Sequence, residues 1–322
     1  MLNIRFIFLI SVVFFSACRK DNTTFTPYTA SLGEIDYFFQ GTLNENTTTV
    51  FALKGGAVIP DTILTTPGGV RIFLTNTEFL FADALGSVIP ASGCQQIKIE
   101  IIEVRDKGDW MARLLPSSTA DGRVVDHTGA VRLRIICDGQ EVVLADDRYI
   151  KIQIPSGTLN GNMTLNYLPV NADGTYNGWE AGEANSIFWA EWQGQLPLGL
   201  ISGYELLTRK TGWVTAVRAL EAVSYSNYCV SLPLQFDADN TRVFLLFDDT
   251  QTIAEMKSTG EPSKFCLAQT PLGYSVRLIT VSKAGPTYWL GNEKTETASD
   301  ATFHLSPIEK TAAQISAFIK GL

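Results

Sequence analysis

Apolar side chains at every second position dominate the middle of the chain. Ile97, Ile99 and Ile101 alternate with Lys98 and Glu100; Val131, Leu133 and Ile135 with Arg132 and Arg134; Ile150, Ile152 and Ile154 with Lys151 and Gln153. A period of two sends alternate residues to opposite faces of a strand, so each run predicts a half-buried strand with its charges toward water. Further strand-like runs lie at 163–168, 186–192, 229–236, 242–247 and 274–281. Between them stand turn clusters such as Ala120-Asp121-Gly122, Leu159-Asn160-Gly161-Asn162 and Asn171-Ala172-Asp173-Gly174. Many short strands joined by such turns predict a mainly β protein, built as two antiparallel β-sandwich-like domains.

One helix interrupts this pattern at the C-terminus. Ser306-Pro307-Ile308-Glu309 has the form of a capping box with Pro at the first helical position, and Ile308, Ala312, Ile315 and Ile319 follow at helical spacing before Gly321. A shorter helix is expected near 250–257. The Gly194-Gln195-Leu196-Pro197-Leu198-Gly199 stretch marks a composition shift. It is read as the boundary between an N-terminal domain at 32–199 and a C-terminal domain at 200–322.

The 322 residues are 45% hydrophobic and 18% charged, enough apolar material for folded cores and too little charge for a disordered chain. Thirty-three Asp and Glu against 25 Lys and Arg give a net charge of −8, with no basic block, which argues against nucleic acid as a partner. Two histidines leave little room for imidazole-rich metal sites. Gly-x-Ser-x-Gly, Walker and Rossmann patterns are all missing from the sequence. No cofactor and no catalytic residue is expected.

The first residues carry an address. Arg5 precedes a ten-residue, mostly apolar run, FIFLISVVFF, followed by Ser16, Ala17 and Cys18. A membrane span needs about 20 apolar residues and a secretory core roughly 7 to 15, so 1–17 is read as a signal peptide. Phe15-Ser16-Ala17-Cys18 resembles a bacterial lipobox, with Phe15 where Leu is usual. That resemblance implies a cut before Cys18, transfer of a diacylglycerol to its thiol (its acyl chains being what palmitate labels) and anchorage in the membrane. Arg19-Lys20-Asp21 resembles the surface-export signal of Bacteroidota lipoproteins, which implies an outer-membrane location and display at the cell surface. Residues 18–31, Thr-rich and broken by Pro27, are read as a tether.

The stretch from Gly68 to about Trp179 resembles a domain of many Bacteroidota lipoproteins, itself similar to the sandwich of zonula occludens proteins, netrin receptors and ankyrins. Gly68-Gly69-Val70-Arg71-Ile72, Phe79-Leu80-Phe81-Ala82-Asp83 with Gly86, Gly129-Ala130-Val131-Arg132-Leu133 and Gly139-Gln140-Glu141-Val142 carry it. Thr211-Gly212-Trp213-Val214 and Leu272-Gly273-Tyr274 extend it into the second half, without the Asn-Cys-Asp stretch that often follows Gly-Trp in that family. The resemblance implies architecture and location, and no catalytic activity.

Several motifs contain residue types that can carry chemistry. Trp179, Trp189 and Trp192, with Phe188 and Tyr176, either pack a core or form a stacking platform for sugar rings. His127 in Asp126-His127-Thr128-Gly129 is expected in a turn at the surface. His304-Leu305-Ser306 resembles a self-cleaving tripeptide, but helix capping accounts for Ser306. Asp146-Asp147 and the 171–177 loop could supply calcium ligands, though neither has EF-hand spacing and Asx residues also serve turns. Asp61-Thr62-Ile63 resembles a short O-glycosylation motif and equally suits a plain loop.

With Cys18 assigned to lipid, Cys94 and Cys137 remain in the first predicted domain and Cys229 and Cys266 in the second. One bridge per domain suits an oxidising envelope, and buried free thiols are the alternative. The expected function is a non-catalytic binding or structural module of the envelope, with the membrane as partner through Cys18 and a glycan or envelope protein as ligand. The alternatives are glycan capture beside a polysaccharide-uptake system and a carbohydrate-active hydrolase, whose paired carboxylates could meet from distant strands.

Overall fold

The computed structural model describes residues 34–43, 48–172, 174–194, 199–299 and 302–322. Strand accounts for 51% and helix for 11%, so the chain is mainly β, as its period-two patterning predicts. Among the described residues the strands form three sheets of nine, five and eight strands. Pairing is antiparallel except where Thr302–His304 runs parallel to Tyr225–Ser231.

The alternating runs behave as their spacing requires. Ile97, Ile99 and Ile101 on strand Gln96–Val104, and Val131, Leu133 and Ile135 on strand Val125–Cys137, are buried from the nine-stranded sheet. Ile150, Ile152 and Ile154 on strand Ile150–Pro155 meet them from the five-stranded sheet, with Ile72, Tyr204 and Leu206. The two inner faces thus form one sandwich core. In the eight-stranded sheet, strand Thr241–Phe247 carries an unbroken apolar run at 243–247 because it is buried there on both sides. Val243, Leu245 and Phe247 enter one core while Phe244 and Leu246 enter another, shared with Val104, Val125 and Trp213.

That shared core changes the expected division at 199/200. Strand Leu200–Thr208 pairs with Ile187–Gln193 and with Ile150–Pro155, and strand Gly212–Ala219 pairs with Val125–Cys137. The strands on either side of that stretch pair antiparallel with Gln193 opposite Leu200, and the Gly194 amide donates to the Gly199 carbonyl at 2.7 Å. Turn residues mark a reversal of direction as readily as a domain linker. The first two sheets therefore extend to Ala219, and all described residues fall in one compact unit, Gly33–Leu322.

The C-terminal helix is present but starts later than its sequence signal suggests. Ile308–Lys310 is a strand against Tyr288–Leu290, and the helix is Ala312–Lys320. Its cap is Thr311, whose hydroxyl accepts from the Gln314 amide while the Gln314 side chain accepts from the Thr311 amide. Two successive capping boxes compete here, at 306–309 and 311–314, and edge pairing decides for the second. Ile315 and Ile319 are buried as the stripe predicts, whereas Ile308 is exposed. The segment expected as a short helix near 250–257 is instead a strand, Ile253–Ser258. A helix that periodicity did not announce, Lys107–Ala112, is capped by Asp106, which accepts from the Asp109 amide at 2.8 Å. It lies against the C-terminal helix so closely that a Cβ on Gly108 would sit 2.1 Å from the Ile319 carbonyl oxygen.

Candidate functional site

Strand Val125–Cys137 carries a bulge that creates the site. Ala130 faces Thr215 and His127 faces Val217, so three steps on one strand answer two on its partner. Gly129 absorbs the extra residue at φ 98°, and a Cβ there would lie 2.7 Å from the Val104 carbonyl oxygen. The Thr215 hydroxyl pins the bulge by donating to the Gly129 carbonyl at 2.5 Å. Bulges bend a strand and re-aim its side chains. Here Asp126, His127 and Thr128 all line a cleft of about 930 Å³. Its other walls are the turn into helix Lys107–Ala112, the 155–160 loop, Arg218 and the 248–251 loop.

Asp126 organises the cleft base. Its side chain is 2% exposed. Its Oδ2 accepts from Arg218 Nε at 3.2 Å, Arg218 Nη2 at 3.1 Å and Asn160 Nδ2 at 3.1 Å, while Oδ1 accepts from the Gln251 amide at 2.9 Å. The Tyr204 hydroxyl holds the Asn160 carbonyl at 2.9 Å. One carboxylate thus gathers a neighbouring strand and two loops, one of them from the eight-stranded half, through charge-assisted bonds.

His127 is the opposite case. Its ring stacks on Trp110 at 3.4 Å and 8°, and Trp110 in turn packs against Trp179. Neither ring nitrogen has a hydrogen-bond partner, nor does the Thr128 hydroxyl. Burial, with the nearby Lys107 ammonium, pushes the His127 pKa down to about 3. The imidazole is therefore neutral, with one N–H donor and one lone pair. Lys107 itself donates to the carbonyls of Phe247 at 2.6 Å and Asp248 at 3.4 Å. Its burial lowers its pKa against the pull of Asp248.

Carboxylates surround this base. Glu103 accepts from the Thr66 hydroxyl and the Gly68 amide, each at 2.9 Å, and Arg105 donates to the Gly68 carbonyl. Burial, then the adjacent Asp106, raises the Asp109 pKa. At Asp248 burial pulls the pKa upward, but the Ser275 hydroxyl and Lys294 outweigh it and leave it below the ordinary value.

The sequence-predicted residues are distributed differently. Trp179 is 1% exposed and donates to the Pro116 carbonyl at 2.7 Å, and Trp192 is 6% exposed; only Trp189 of the three is open, at 63%. Two buried indoles cannot serve a sugar platform, so the trio is not assembled. The bridges Cys94–Cys137 and Cys229–Cys266 are both formed. Asp147 lies on the surface beside Arg209, and the Asn171 and Asn177 amides bond to each other. Asp61 accepts from the Asn76 amide, and Thr62 begins an edge strand of the five-stranded sheet. His304 is exposed on strand Thr302–His304, and Ser306 does not cap the helix. Cys18, the signal segment and the tether lie outside the described residues.

His127 is not in a surface turn. Asp-His-Thr-Gly has the composition of a turn, yet the Gly serves a bulge inside a thirteen-residue strand. An isolated Gly at the head of an alternating run was the available signal. Arg218, Lys107 and Gln251 carried none, because they reach the cleft from distant elements. No protein-family model and no curated protein matches the chain.

Proposed function

We propose that the chain is a non-catalytic binding module of the cell envelope, held at the outer membrane by a lipid on Cys18, with the bulge cleft as its ligand site. One observation supports the binding role: the bulge opens a cleft of about 930 Å³ whose lining is almost wholly polar side chains, set around the buried Asp126 carboxylate. The anchor rests on the lipobox-like Phe15-Ser16-Ala17-Cys18.

Two experiments test the reading. Labelling with palmitate should mark the wild-type chain and retain it on membranes, while Cys18→Ala should be unlabelled and released. Membrane retention without Cys18 rejects the anchor. For the cleft, the chain's two histidines make a long-range ¹H–¹⁵N spectrum of the ring nitrogens simple to assign. Titrating the detergent-solubilised chain with a library of small polar molecules should shift His127 and leave His304 in place. A library that moves neither rejects the cleft as a binding site.

A further inference from the structure

We infer that the open edge of strand Ile187–Gln193 takes an extended basic polypeptide segment, which joins the five-stranded sheet as a further strand. No residue of this strand lines the cleft, so the two surfaces stand or fall separately.

The edge is open along the whole strand. Ile187–Gln193 pairs with Leu200–Thr208 on one side, residue for residue and without a bulge, and ends the sheet on the other. The bonds already made decide which groups remain. The Leu207 amide donates to the Ser186 carbonyl at 2.9 Å and the Gly194 amide to the Gly199 carbonyl at 2.7 Å, so even-numbered positions bond toward the neighbouring strand. In an antiparallel ladder the intervening residues point their N–H and C=O groups the other way. Ile187, Trp189, Glu191 and Gln193 thus offer donors and acceptors along the free edge.

Other edges among the described residues are protected. Glu180–Ala181, Val88–Ile89, Thr62–Thr65, Thr302–His304 and Ile308–Lys310 run only two to four residues, and the six-residue Thr49–Lys54 ends in an exposed lysine. Short strands and edge lysines are common means of preventing unwanted pairing. Ile187–Gln193 has seven residues with no Lys, no Pro and no bulge. A long edge left unprotected is the geometry that strand addition uses.

Side chains beside the edge specify the partner. Trp189 and Glu191 lie two positions apart and share a face, and both are exposed. An indole next to a carboxylate suits arginine or lysine, whose cation can stack on the ring while pairing with the oxygen. From 152 to 208 the sequence holds no Lys, Arg or His, against Asp173, Glu180, Glu183, Glu191 and Glu205. Glu205, on the neighbouring strand, is held by Lys151 at 3.4 Å and by the Gln153 amide at 2.9 Å. Glu191 receives only the Ser202 hydroxyl, at 3.4 Å, and no cation. It is the open charge at this edge. A second copy of the chain would bring another Glu191 and no cation to meet the first, so charge disfavours self-pairing and favours a basic strand. Phe188, half exposed on the opposite face, adds apolar contact for the same segment.

The test uses the full chain in a neutral detergent and a fluorescent peptide of the strand's own length, alternating arginine with threonine and blocked at both ends. The peptide should bind saturably by fluorescence anisotropy and more weakly as salt rises. Glu191→Lys and Trp189→Ala should each weaken it about tenfold, the effect of losing one interface anchor. Both side chains are exposed, so both variants should melt as the wild type does. Methylating alternate backbone nitrogens of the peptide should abolish binding for the set that faces the strand and spare it for the other. A peptide with glutamate in place of arginine should not bind. The inference is overturned by no saturable binding, by equal binding of the glutamate peptide, by equal loss from both methylated sets, or by unchanged binding in either variant. A dimer seen by sedimentation that Trp189→Ala disperses, with no peptide bound, overturns it too and gives the edge to a second copy.

Discussion

Arg218 presents two nitrogens, Nε and Nη2, to a single carboxylate oxygen of Asp126 at 3.2 and 3.1 Å. Asp126 is buried while Arg218 keeps about a third of its side chain in solvent, so the two partners are unequally dependent on the contact. Arg218→Met removes the cation from a buried carboxylate that retains only Asn160 and the Gln251 amide. The expected loss is about 3 kcal/mol, the lower end for breaking a buried pair because the arginine is partly hydrated. Urea denaturation at neutral pH measures it, with an unchanged slope showing that the unfolded state is not the cause.

His127 makes stability depend on acid. Its folded pKa of about 3 lies below the ordinary 6.5, so the unfolded chain binds a proton that the folded chain refuses. The contribution is complete above pH 6.5 and is lost as pH falls from there toward 3. Between pH 6.5 and 5 this single group should remove about 2 kcal/mol, at roughly 1.4 kcal/mol per pH unit. His127→Phe should melt at a higher temperature than wild type at pH 5 and show a shallower pH slope. Equal slopes would show that the imidazole is not the titrating group.

The two competing helix caps can be separated by substitution. Thr311→Ala should cost about 1 kcal/mol, the usual value of a side-chain cap, and Ser306→Ala close to nothing. Thermal unfolding of the two variants side by side is sufficient, and the reverse order would place the helix start at Ser306.

Both disulfides close long loops, with sequence separations of 43 and 37. Chain-entropy arguments put each at about 4 kcal/mol. Alkylation under denaturing conditions should add no mass at Cys94, Cys137, Cys229 or Cys266 until a reductant is supplied. Reduced protein should unfold at markedly lower denaturant.

Much of this architecture was legible because strand burial leaves a direct mark on sequence. Ile97, Ile99, Ile101 and their counterparts at 131–135 and 150–154 alternate because one sheet face is dry, and each is buried. The caps were less decisive. Ser306 and Thr311 satisfy the same local rule, and only pairing of Ile308–Lys310 with Tyr288–Leu290 chooses between them. The boundary failed for a similar reason, since Gly194 and Gly199 lie between two strands that pair residue for residue. The cleft was least legible of all. Asp126 meets Gln251 across 125 positions and Arg218 across 92, distances over which no local pattern operates.

The bulge at Gly129 also determines how the chain responds to a change in length. Val131, Leu133 and Ile135 point into one core from strand Val125–Cys137, and Val125, at its other end, points into a different one. The additional residue between Ala130 and His127 resets the phase of the strand between those ends. Deleting any one residue there would restore strict alternation and turn the upstream segment over, sending Val125 toward solvent or the Asp126 carboxylate toward hydrocarbon. Point substitution tunes this cleft, but a one-codon deletion should abolish it without changing any other side chain: the site is encoded in a count as much as in a composition.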